Sequence, residues 1–87
     1  MESAFDELIE AARRLGITVR HARLGGVGGG LAVLKGKRQL FIDLDALPED
    51  QLDQTVTAMA GVAELEGVFL RPELRRMIEA AGDRNKA

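Results

Sequence analysis

Asp43 and Asp45, two positions apart on an extended stretch, share one face and could offer carboxylate oxygens to a hard cation, with Glu49 and Asp50 close behind. No spaced acidic loop accompanies them, so a solvated strand end is the better reading, with Arg20 or Lys37 as cross-strand partners. His21 is the only histidine and so the one imidazole that could serve as an acid or base. Arg20 and Arg23 flank it, and no nucleophile motif surrounds it. Between residues 25 and 30 stand five glycines in six residues, which invites a phosphate-cradle reading. Such cradles lead into a helix N-terminus and close with Gly-Lys-Ser/Thr, whereas this run lies between two strands and lacks that ending. A bulged or flexible β-connection is expected instead. No catalytic residue, metal ligand or cofactor site is assigned.

Charge is the chain's least average property. The net value of −2 conceals blocks. Residues 11–42 hold seven bases and no acid, and residues 43–70 hold seven acids and no base. Segment 13–38 could neutralise phosphates of a nucleic acid through Arg20, Arg23, Lys35, Lys37 and Arg38, with strong salt dependence. A pI near 5.3 and the lack of aromatics interleaved with those bases make this the second reading. Docking between copies, or between two faces of one fold, uses both blocks and ranks first; charge would set register while apolar contact supplies affinity.

These residues need elements to position them. Eighty-seven residues make one domain, 1–87, with 83–87 expected as a frayed tail. A domain of this size buries somewhat over ~60% of its unfolded surface. With three phenylalanines, no tryptophan and no tyrosine, the core must be aliphatic. The absence of cysteine excludes disulfides, thiolate zinc sites and a thiol nucleophile. The N-terminal residues do not read as a secretory signal and no apolar run approaches the ~20 residues of a membrane span, so a cytoplasmic location is expected.

Phe5, Leu8, Ile9, Ala12 and Leu15 follow a helical period from a Ser3 cap to a Gly16 stop. Ile17 to His21 alternates as a strand. Leu31 to Asp45 reads as a hairpin turning at Lys35-Gly36-Lys37, with Leu40, Ile42 and Leu44 on one face. Pro48 opens a second helix with Leu52, Val56, Met59, Ala60 and Ala63 inward. Val68-Phe69-Leu70 is expected as a fourth strand closing a βαβ crossover, and Pro72 starts a helix ended by Gly82. The order α-β-β-β-α-β-α describes a two-layer α+β domain, a small, mostly antiparallel sheet with helices on one face.

Ala12-Arg13-Arg14-Leu15-Gly16-Ile17-Thr18-Val19, Gly30-Leu31-Ala32-Val33, Arg38 to Asp43 and Leu47-Pro48-Glu49 together resemble the start of the ImmA/IrrE-type metallopeptidase domain. The resemblance covers residues 12–62. In that family the following helix carries H-E-x-x-H, two zinc-binding imidazoles around a glutamate base. Ala58, Met59 and Val62 stand in those places here and can neither bind zinc nor take a proton. The resemblance therefore implies the scaffold without the peptidase chemistry.

The expectation is a non-enzymatic protein-interaction module whose partner is itself or another protein, with no membrane contact. Its candidate surface comprises Arg20, Arg23, Lys35, Lys37, Arg38, Asp43, Asp45, Val68, Phe69 and Leu70, together with the strand edge at 17–24.

Overall fold

The computed structural model describes residues 3–84. Helix α1 runs Ala4–Arg14, with the Ser3 hydroxyl accepting from the Asp6 amide at 3.1 Å. Gly16 follows at φ +80°, the left-handed stop that a side chain would resist. Strands β1 (Thr18–Ala22), β2 (Gly30–Leu34) and β3 (Lys37–Asp43) form one sheet in the order β1-β3-β2. β2 and β3 make the expected hairpin, and Lys35 (φ 52°) and Gly36 (φ 77°) both take the positive φ of a type I′ turn. β1 pairs with β3 in parallel, from Thr18 opposite Gln39 to Ala22 opposite Asp43. The sheet thus holds one antiparallel and one parallel pair, because the glycine segment carries the chain across the end of β3 to its far side.

Helix α2 spans Pro48–Met59 and α3 spans Pro72–Arg84. The alternation of β3 turns Leu40 and Ile42 toward the helices, where they meet Leu8, Val56, Met59 and Leu74 in one aliphatic core. Gln39 and Phe41 point to the opposite face, which no helix covers. Thr55 is buried on α2 and satisfies its hydroxyl on the Gln51 carbonyl at 2.7 Å.

Besides the sheet, which is mixed and not mostly antiparallel, and Ala63, which lies exposed beyond the end of α2, further expectations change. Val68-Phe69-Leu70 is not a strand. A 3₁₀ turn at Ala63–Gly67 brings Leu65 into the core, and Arg75 donates to the carbonyls of Leu65 and Val68. Side-chain donors thus satisfy carbonyls that a ladder would otherwise have to serve. Gly82 does not stop α3, which continues through Asp83 and Arg84. The expected frayed tail is therefore helical at those two residues, and 85–87 lie outside the described residues. Leu44 leaves the face of Leu40 and Ile42 because β3 ends at Asp43; it sits exposed in a turn. No helix among the described residues is long and apolar enough to cross a membrane.

Candidate functional site

The glycine segment is ordered around a carboxylate. Crossing from β1 to β2 over the end of β3 spans two strand spacings, about 10 Å. Asp43, the last residue of β3, lies beneath that crossing with no solvent exposure. One of its oxygens accepts from the amides of Leu24 (3.0 Å) and Asp45 (2.9 Å), the other from Gly26 (2.7 Å) and Gly28 (2.9 Å). Burial pushes its pKa up, but the amides of Gly28, Asp45, Leu24 and Gly26 outweigh that and hold it below the ordinary carboxylate value. Asp45 takes the Gly25 amide, and the Gln54 side-chain amide clamps Gly29 N–H and Gly26 C=O. Gly28 is required sterically, and a side chain at Gly29 would displace the Gln54 clamp. A Cβ at Gly28 would stand 2.4 Å from the Leu24 Cβ, and one at Gly29 would stand 2.2 Å from Gln54 Oε1. The loop is thus an anion nest filled by the protein's own aspartate, which leaves those amides no phosphate to bind.

Asp43 is consequently removed from the interaction surface and from any cation site. N–H groups point at both of its oxygens, where a cation would need lone pairs. His21 pairs with Ile42 and shares its face, opposite to that of Asp43, so the two do not converge on one pocket.

The bases divide as well. Arg23 pairs with Asp45 at 2.9 Å. Arg38 alternates onto the helix side, where Glu64 takes its guanidinium at 2.8 Å and is held below its usual pKa by that hydrogen bond. These contacts join the basic and acidic blocks inside one molecule. Arg20, Lys35 and Lys37 remain, without an ion pair among the described residues. They rim a hollow of about 460 Å³ on the open sheet face, lined also by Leu34 and Gln39. Gln39 Oε1 is buried there with no hydrogen-bond partner among the described residues.

The apolar triplet divides too. Leu70 is in the core and so is corrected from the surface set, Val68 is half-buried, and Phe69 alone is 87% exposed. In the places the peptidase resemblance reserves for the glutamate base and the second imidazole, Met59 and Val62 are buried, and α2 ends at Met59.

The sheet's edges complete the picture. β1 and β2 each have one side unpaired by any strand among the described residues. β1 carries Arg20 and His21, both exposed. β2, Gly-Leu-Ala-Val-Leu, carries no charge, no proline and no bulge, and exposes Val33 (64%) and Leu34 (49%). Beside it a groove of about 420 Å³ separates the strand from α2, between Gly29-Gly30-Leu31 on one wall and Asp53, Gln54 and Thr57 on the other. Sequence reasoning did not select this edge. The signal was a five-residue strand with no charged side chain, whose importance depends on its being outermost. No family model, curated protein or solved structure matches the chain.

Proposed function

We propose that this chain is a non-catalytic protein-interaction module that self-associates through the free edge of β2. The observation that carries the reading is that bare edge. An unpaired strand is a template for another strand, and proteins ordinarily protect it with charge, proline, a bulge or a covering element. β1 has that protection in Arg20 and His21; β2 has none. Val33 and Leu34, exposed on opposite faces of β2, add apolar contact on both sides of a joined sheet.

The charge blocks then have a smaller part than their size suggests. Two of the five candidate bases are neutralised internally, so the remaining charges set register and the apolar strand supplies affinity. The same pairing weakens the nucleic-acid reading: of the five named bases, Arg20, Lys35 and Lys37 are left without an ion pair among the described residues.

Light scattering on the full chain should give twice the 9.4 kDa chain mass, with the dimer persisting at moderate salt. Val33→Lys, which places a charge on the edge without touching the core, should return a folded monomer. A wild-type chain that stays monomeric at high concentration in low and moderate salt would sink the reading.

A further inference from the structure

The open sheet face gathers three cations around one unsatisfied acceptor, and strand register sets them together. Leu34 pairs with Lys37, and Gln39 pairs with Thr18 on β1 and Ala32 on β2. Arg20 lies two residues beyond Thr18, so it shares this face and stands diagonal to Gln39. The turn adds Lys35, and these five residues line the hollow of about 460 Å³. That volume falls in the ~300–1,000 Å³ range of small-molecule sites. No carboxylate lines it, and Arg20, Lys35 and Lys37 have no ion pair among the described residues. The neighbouring Arg23 and Arg38 are neutralised by Asp45 and Glu64, which leaves these three as the positive charge around the hollow. Gln39 is only 9% exposed, and its Oε1 has no hydrogen-bond partner among the described residues. An unpaired buried acceptor is destabilising, and a ligand that brings a donor relieves it.

We infer that this hollow binds a hydroxylated phosphate monoester, the class of the sugar and polyol phosphates. Each part of that ligand answers a feature of the site. Two lysines and an arginine match the nearly double negative charge of a phosphate monoester better than the single charge of a carboxylate. An ionised phosphoryl group would present only acceptor oxygens to Gln39 Oε1, whereas a hydroxyl donates to it. The last torsion of a glutamine side chain is soft, so a small turn of the amide meets a donor entering the hollow. Leu34, half-exposed beside it, gives the carbon skeleton an apolar wall. No aromatic ring lines the hollow, so it lacks the stacking platform on which bases of single strands rest. The site needs no second copy of the chain and stands apart from the self-association reading.

Titration of the full chain with ribose 5-phosphate, followed by nuclear magnetic resonance, should shift the Gln39 side-chain amide together with signals of Arg20, Lys35 and Lys37. Methyl phosphate, which has no hydroxyl on its carbon, should bind about fivefold more weakly, and ribose should not bind. Lys37→Gln, an exposed change, should weaken both phosphates about tenfold. Gln39→Leu should keep the affinity for methyl phosphate and lose the preference for ribose 5-phosphate. Should that variant fail to fold, the wild-type comparison of the two phosphates decides the hydroxyl contact. Equal affinity of the wild-type chain for both overturns that contact, and no shift at these four residues overturns the site. Capture only by a single-stranded oligonucleotide, or only by vesicles bearing phosphatidylinositol 4-phosphate, overturns a free sugar phosphate as the occupant.

Discussion

β1 and β2 flank the same central strand and differ in almost everything that decides what an outer strand can do. β1 runs parallel to β3 and shows solvent Arg20 and His21. β2 runs antiparallel, carries no charge and exposes Val33 and Leu34. The segment joining them is pinned at Leu24, Gly26 and Gly28 by one buried carboxylate, Asp43, and at Gly29 by Gln54. The contrast teaches that the glycine segment positions an outer strand through contacts internal to the molecule. Its glycines let five backbone amides reach internal acceptors, and the strand it delivers is left bare.

The contrast can be broken most severely at Asp43. Asp43→Ala leaves buried amides without acceptors and should lower the melting temperature by more than ~10 °C. Hydrogen exchange should show protection lost at the ends of β1 and β2 that the loop joins; unchanged protection there would contradict the role given to the loop. Next comes Gly28→Ala, whose Cβ cannot stand 2.4 Å from the Leu24 Cβ and must move the loop. A cost of about 1–3 kcal/mol is expected in chemical denaturation.

Acid should loosen the same loop. Asp43 has a depressed folded-state pKa, so its contribution is present above the unfolded value near ~3.9 and is lost as pH falls through the folded one. Glu64, lowered by its hydrogen bond to Arg38, adds in the same direction. Melting temperature followed from neutral pH downward should therefore drop below pH ~4, and Asp43→Asn should flatten part of that drop. The smallest effect belongs to the turn. Lys35→Asn eases a positive-φ residue and should stabilise the fold by about 0.5 kcal/mol in chemical denaturation. A loss of stability would contradict the strain assigned to that turn.

Much of the fold was legible because it is local. Ser3, Gly16, Pro48 and Pro72 mark helix boundaries through backbone chemistry that needs no distant partner. Lys35-Gly36 marks the turn for the same reason. The candidate site was less legible. Alternation placed Asp43 opposite Leu40 and Ile42 correctly, but nothing local shows that a loop covers it. The basic block looked like one surface, yet Arg38 differs from Lys37 by one residue and so faces the other side of the sheet. Val68 to Leu70 had the composition of a strand, and a side-chain donor from Arg75 serves the Val68 carbonyl instead.

By itself, then, the sequence determined the helices, the hairpin and an aliphatic core, because capping, periodicity and turn geometry act over a few residues. Only the tertiary structure decided that β1 joins β3 in parallel, that Asp43 is the anion of its own glycine nest, and that β2 is an outermost strand. Each depends on where the chain crosses the end of β3, and that crossing is held by contacts between residues from 15 to 28 positions apart.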